Sequence, residues 1–353
     1  MEPLRVGVIG LGVIGREQIA GFSKLPHVEV AGGYDSDGPR CEAVCRDLNI
    51  RAFRSLEELV EDASVSIVTI CTPEALHVQP TVMAIEAGKH VLIEKPIASS
   101  DEDGVVLVKA AASTEKVVMV GQTLRFDPYY AAAKKLLDDG AVGRVAHLST
   151  RRSNSITNGI RAGGRTTVSL FLGVHDLDFC MWALTSRVSR VCALGADGIL
   201  RRQYGFDVAD TVLGTVEFES GVVGGVEFSW CLPLEGVAVL DAHFEVLGET
   251  GQLLLHRQQG SLRIAGRGLQ RATEISVSEV TGLGPDSSGL DLEIAAFVEA
   301  VRTGTPAPVG VVDGYNAMVA ALALDESSRK RQPIIPSFGA AVGAGNLGSG
   351  DAS

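Results

Sequence analysis

From Leu4 to Val120 short β-branched runs alternate with stretches whose apolar residues recur at helical spacing. The runs lie at Leu4–Ile9, Val28–Tyr34, around Arg51–Phe53, at Ser66–Cys71, His90–Ile93 and Val117–Val120. Strand-like runs separated by helical ones predict a parallel sheet with helices on both faces. Ser55-Leu56-Glu57-Glu58 reads as a capping box that opens one of those helices. Pro73 and Pro96 each follow a run directly, so two strands are expected to end in rigid turns. In open α/β sheets such carboxyl ends are where ligands bind.

After Arg125 the pattern changes. A helix is expected from about Tyr129 to Asp138, then a strand at Val145–Arg151, a polar glycine-containing loop from Ser153 to Thr167, and a helix from about Gly173 to Leu184. Runs then follow without long helices between them: Val188–Gly195, Val208–Phe218, Val222–Cys231, His243–Gly248, Gln252–His256 and Ser261–Ala265. Short turns such as Glu219-Ser220-Gly221 predict antiparallel hairpins. Helices at Leu290–Arg302 and Asp313–Arg329 close the domain, and the tail rich in Gly, Ala and Ser from Gly339 to Ser353 is expected to be disordered. The expected fold is an α/β Rossmann domain, residues 1–125, plus an α+β domain with an open, mainly antiparallel sheet, residues 126–336, ahead of a tail at 337–353.

A chain of 353 residues is long enough for two cores. Its 46% hydrophobic and 21% charged residues describe a globular protein, and a net charge of −12 argues against a nucleic-acid partner. With no apolar run near the about 20 residues of a membrane span, and a strand starting at Leu4 where a signal peptide would lie, the expected location is the cytoplasm. Six scattered cysteines form neither a CxxC pair nor a metal quartet, so they read as reduced thiols and no metal is expected.

The stretch Gly10-Leu11-Gly12-Val13-Ile14-Gly15 lies between the first strand and the first helix. There the first glycine permits a tight turn, the second lets a pyrophosphate approach the backbone, and the third lets helix and strand pack closely. The phosphates would rest on the helix N-terminus. Asp35, closing the next strand, is placed to accept hydrogen bonds from ribose hydroxyls, and Asp37 adds a second negative charge. A 2′-phosphate would be repelled there, so the cofactor reads as NAD rather than NADP.

Further landmarks follow in order: Cys71-Thr72-Pro73 with His77, Glu94-Lys95-Pro96, Arg125-Phe126-Asp127-Pro128, Gly173-Val174-His175-Asp176-Leu177-Asp178, and Asp313-Gly314. Together with the glycine motif they resemble the Gfo/Idh/MocA family of NAD(P)-dependent sugar and cyclitol oxidoreductases, inositol dehydrogenases among them, from about Leu4 to Pro336. The resemblance implies that Lys95 reaches the substrate hydroxyl beside the nicotinamide and is the leading proton-transfer residue, that His175 is its partner, and that Glu94 holds Lys95 in place. A lysine can take up that proton if burial favours its neutral form. The resemblance also implies that Cys71, Thr72, Pro73 and His77 line the nicotinamide end, while a helix cap or surface role for His77 stands equally open. Arg125 either pairs Glu94 or touches substrate, and a structural salt bridge is favoured.

One position departs from the family pattern. Where an inositol-dehydrogenase-like D-x-x-x-H motif has its aspartate, this chain has Phe171. Three outcomes stay open: His175 acts with Lys95 alone, Asp176 or Asp178 substitutes, or the family reaction is lost. Arg151, Arg152, Arg161 and Arg165 gather in an otherwise acidic chain and suit an acidic sugar, although loop solvation or a subunit contact is the blander reading. Asn154, Asn158 and Trp230 are groups a polyol site would use, and Asn154 is taken as a substrate contact. The expected reaction interconverts a secondary alcohol and ketone on a polyol, cyclitol or sugar. Its rivals are a redox-neutral sugar-modifying enzyme with tightly bound NAD and a non-catalytic dinucleotide-binding regulator. Apolar stretches at Val222-Val223 and Val237–Leu240 on the open sheet, with the family's habit of pairing such sheets, imply a homodimer or homotetramer.

Overall fold

A computed structural model describes residues 2–233, 240–266 and 272–339. These divide into two compact units, one of residues up to Thr123 with Ser288–Tyr315 and Gly339, the other of Leu124–Ser287 with Asn316–Phe338. The expected tail beyond Gly339, and Val237 to Val239 of the expected apolar stretch, lie outside the described residues.

The first unit runs β1 (Leu4–Ile9), α1 (Val13–Ser23), β2 (Val28–Tyr34), α2 (Gly38–Asp47), β3 (Arg51–Ala52), α3 (Leu56–Glu61), β4 (Ile67–Ile70), α4 (Val78–Glu86), β5 (His90–Glu94), α5 (Asp101–Ala112) and β6 (Val118–Gly121). Among the described residues the strands form one parallel sheet in the order β3-β2-β1-β4-β5-β6. Val6, Val8, Ile67, Val68, Val91, Leu92 and Met119 are fully buried, as strands covered on both faces require. The strand order reverses between β1 and β4, which puts the ligand crevice at their carboxyl ends. Ser55 caps α3 as expected, its hydroxyl accepting the Glu58 N–H at 3.1 Å.

The second unit runs α6 (Pro128–Asp138), β7 (Val145–Ser155), α7 (Ile156–Ala162), α8 (Val174–Leu184), β8 (Val188–Ala196), β9 (Thr211–Phe218), β10 (Val223–Leu232), β11 (Leu240–Gly248), β12 (Gly251–His256), β13 (Ser261–Gly266), β14 (Thr273–Glu274) and α9 (Val277–Thr281). Its sheet has the order β14-β13-β12-β11-β7-β10-β9-β8, antiparallel except where β10 joins β7. The expected loop at Ser153–Thr167 is confined to residues 163–167, because strand and helix take up the rest. Strand β7 continues to Ser155 because Ser153 and Asn154 pair with Asp241 and Leu240 of β11, and Ser155 then caps α7 by accepting the Thr157 N–H. A single π-helical turn at Ser169–Gly173 precedes α8, and a second one lies at Leu200–Tyr204.

Two long helices follow, α10 (Gly289–Thr303) and α11 (Val311–Lys330). The sequence groups both with the second domain, whereas α10 and α11 through Tyr315 cluster with the first unit. The reason is packing against α1: Ile294 lies so close to Gly21 that an added Cβ would come within 2.4 Å of it, and Asp291 pairs with Lys24 at 2.6 Å.

Candidate active site

At the switch point each glycine has a separate task. Gly10 has φ +91°, and a Cβ there would stand 2.7 Å from the Cys71 carbonyl carbon, while one on Gly15 would stand 2.0 Å from the Gly10 oxygen. A Cβ on Gly12 would meet nothing within 4 Å, so the side of the turn that a pyrophosphate would occupy is open. Helix α1 begins at Gly12 with no side-chain cap and no acidic residue in its first turn, which leaves its N–H groups available to an anion. Val13 and Ile14 are exposed beside it.

Asp35, buried at the end of β2, is held by two main-chain donors: Leu11 N–H reaches Oδ2 at 2.8 Å and Asp37 N–H reaches Oδ1 at 2.9 Å. Asp37 does not add a bare second charge as expected. It caps α2, and the Arg40 guanidinium sits 2.7 Å from its carboxylate and 3.5 Å from that of Asp35. Arg40 thus balances Asp37, while the Asp35 carboxylate stays fixed beside the glycine turn. Open glycine cradle, uncapped helix and pinned carboxylate together fit an adenine dinucleotide.

At the ends of β4 and β5 the Cys71-Thr72-Pro73 and Glu94-Lys95-Pro96 segments are tied together by His77. Its ring is 1% exposed, with Nε2 2.8 Å from the Thr72 carbonyl and Nδ1 3.1 Å from that of Ile97. Burial pushes this imidazole below its ordinary value, and a neutral ring has one N–H to give, to one of those carbonyls. His77 thus braces the two loops; its nitrogens are turned to main chain, not outward to a cofactor.

Glu94 is buried and accepts two N–H donors, Gln18 Nε2 at 2.7 Å and the Lys95 main chain at 3.2 Å. Thr69 in turn donates its hydroxyl to the Gln18 carbonyl oxygen. Burial raises the Glu94 carboxyl and the nearby Lys95 charge opposes that rise. Burial, then the Glu94 charge, keep the Cys71 thiol well above its usual range. Lys95, at the carboxyl end of β5, is partly buried and joined to Pro96 by a cis peptide.

In the second unit His175 stands half-buried in the first turn of α8. Asp176, 1% exposed, does not turn to His175. Its Oδ1 accepts the Thr150 hydroxyl at 2.7 Å, and Arg152 of β7 pairs with it while also donating to the Tyr130 hydroxyl at 2.8 Å. Asp178 is clamped by Arg125, whose Nε and Nη2 reach its two oxygens at 2.8 and 2.7 Å. Arg125 thus forms a salt bridge, and its partner Asp178 is one that the sequence does not suggest. Phe171 lies in the π turn and meets the buried Trp230 ring edge-on at 5.9 Å. Asn154 spends its side-chain oxygen on Ser155 N–H and Asn158 Nδ2, both at 2.7 Å.

Arg151 and Arg152 do not share one patch. Neighbours on a strand face opposite ways, so Arg152 points into the core while Arg151 pairs with Asp241 and lies 2.6 Å from His243. The sequence does not single out Gln18, Arg40, Thr69 or Glu293. Gln18 and Glu293 are polar residues at inward positions of otherwise apolar helix faces, which is the signal that marks them. No group of three or more His, Cys, Asp or Glu among the described residues is arranged for a metal.

A family model described as the GFO/IDH/MocA oxidoreductase family, NAD-binding Rossmann fold, matches residues 4–122. The corresponding C-terminal domain matches residues 130–254. Scyllo-inositol 2-dehydrogenase (NAD(+)) of Bacillus subtilis is 28% identical over 345 residues, covering 94% of this chain and 96% of that protein. The 2,7-anhydro-N-acetylneuraminate hydratase of Escherichia coli is 28% identical over 277 residues, 75% of this chain and 71% of its own. Among solved structures, levoglucosan dehydrogenase in complex with NADH and levoglucosan has the same fold, with a TM-score of 0.84 at 22% identity, over 96% of this chain and all of that one.

Proposed function

Because this chain belongs to the GFO/IDH/MocA family of oxidoreductases, we propose that it interconverts a secondary alcohol and a ketone on a cyclitol or sugar, with Lys95 as the proton-transfer residue and His175 as its partner. Gly10, Gly12, Val13, Ile14, Gly15 and Asp35 would hold NAD, and bound NAD supplies the hydride acceptor. The observation that supports the reading is the setting of Lys95. It follows β5 at a sheet end braced by His77, and its main-chain N–H is fixed on Glu94. A carbinol that loses hydride must also release its hydroxyl proton, and an amine held there can take it. His175 offers an imidazole suited to proton transfer near neutral pH. Asp178, three residues further along α8 and oriented by Arg125, supplies a fixed carboxylate on the same helix in place of the aspartate that Phe171 replaces. We read the chain as a cytoplasmic homodimer or homotetramer, its sheet exposing Leu194, Leu213 and Val223.

A second reading has its own support. Phe171 departs from the D-x-x-x-H pattern, and one relative is named a hydratase, a reaction with no net redox change. The test is a panel of inositols, amino-cyclitols, free hexoses, anhydrosugars and uronates with NAD⁺, followed by absorbance of reduced nicotinamide and by product analysis. Accumulating NADH with a matching ketone is the expected result. Product forming while total NADH stays constant overturns the dehydrogenase reading in favour of the redox-neutral one.

A further inference from the structure

Behind Lys95 lies a second buried carboxyl that the reaction does not directly use. Glu293 of α10 is fully buried, and neither of its oxygens closes a hydrogen bond with a described residue. Helix α10 reaches this depth because it packs on α1 through Ile294 and Gly21. The Glu293 carboxyl rests against the end of β6, where a Cβ on Gly121 would come 3.2 Å from its Oε1. Gly121 is the sheet partner of Glu94. Two carboxyls thus meet at one corner of the sheet with unequal company. Glu94 accepts N–H groups from Gln18 and Lys95, as an anion requires, whereas Glu293 has no N–H donor and only the Thr123 hydroxyl nearby to favour its charged form. An ionised carboxylate buried with so little hydrogen bonding is far costlier than a neutral acid, and two like charges at one site leave one of them protonated.

We propose that Glu293 is a positioning residue held as a neutral acid, so that this buried pair carries a single negative charge, located on Glu94, and thereby fixes the proton affinity of Lys95. The effect on Lys95 rests on the dehydrogenase reading; the state of the pair does not. The direction of titration agrees: burial, then the Glu94 charge, raise the Glu293 carboxyl well above the usual carboxylate range, against Thr123 and Lys95. Among the described residues, other ionisable groups facing the pair include Glu17, which acts on Glu94, and Cys71, whose thiol is held protonated. The Lys95 charge acts on both carboxyls, so whichever of them is ionised acts on Lys95 in return.

Isotope-edited infrared spectroscopy of the full-length protein, unlabelled and with ¹³C-glutamate, reads the pair without any substrate. From roughly pH 6 to 9, above ordinary carboxylate values, the wild type should show a protonated glutamic acid band that shifts with the label and is lost in Glu293→Gln. In Glu94→Gln the repulsion is gone, and the pH at which the band disappears should fall by about one unit or more. A wild type without the band at neutral pH, or a band whose midpoint ignores Glu94→Gln, overturns the proposal. Once the substrate panel yields turnover, Glu293→Gln should leave the limb of the pH profile of kcat/KM in place, while the double variant with Glu94→Gln moves it to lower pH. A limb moved by Glu293→Gln alone contradicts the neutral assignment. Absence of all turnover with the band intact would count against the dehydrogenase reading only.

Discussion

Asp35 shows how a single carboxylate is prepared before any ligand arrives. Its two oxygens are aimed by Leu11 and Asp37 main-chain donors, and Arg40 balances the neighbouring Asp37. Hydrogen bonds to a charged group contribute about 1.5–3 kcal/mol each. Asp35→Ser should therefore weaken NAD binding roughly tenfold or more while narrowing the preference over NADP, read by fluorescence titration of both reduced cofactors; unchanged affinities would remove Asp35 from the cofactor site. The glycine motif and the EKP tripeptide were legible because their residue types have local reasons to be there. What Asp176 and Arg125 pair with was not, since Asp176 meets Arg152 across 24 residues and Arg125 meets Asp178 across 53. Local spacing carries no information about such partners. Both pairs are almost wholly buried, where removing one member leaves an uncompensated charge.

At the scale of elements, the π turn Ser169–Gly173 sets the approach to His175. Thr167, just ahead of it, donates its hydroxyl to Asp325 of α11. Desolvation pushes the Asp325 carboxyl up to about 6 in spite of that bond. The folded protein therefore holds this proton in a range where the unfolded chain, near an ordinary aspartate value of about 4, has lost it. Stability supplied by the protonated form is fully present below about pH 4 and declines as pH rises toward about 6. Asp325→Asn abolishes that slope, so its melting temperature relative to the wild type should rise between roughly pH 4 and pH 7. A difference independent of pH would mean that Asp325 titrates normally. Helical spacing reveals an amphipathic segment here but not its extra backbone residue, because a π turn alters the period over one turn only. Strand β7 was cut short for a related reason: polar Ser153, Asn154 and Ser155 suggest a loop, and only their pairing with β10 and β11 makes them strand.

Across the whole molecule, alternating runs in the first half and hairpin-like runs in the second make both sheets legible in the sequence. The parallel joint between β7 and β10 was not, since those strands are distant in sequence and no short turn announces them. The grouping of α10 with the first unit escaped for the same reason, and with it Glu293. Assembly is tested at this scale: light scattering should report a dimer or tetramer, and a monomer would leave Leu194 and Leu213 as exposed apolar residues without that role. Lys95 carries the chemistry proposed for this chain. The most direct measurement compares the wild type with Lys95→Ala for NAD⁺ reduction on the best substrate of the panel, alongside NADH affinity of each. Loss of a proton-transfer residue costs about 10²–10⁴-fold in rate, so kcat/KM should fall in that range with NADH binding within a few-fold of wild type. Activity within threefold of wild type would contradict the assignment of Lys95 as the residue that moves the proton.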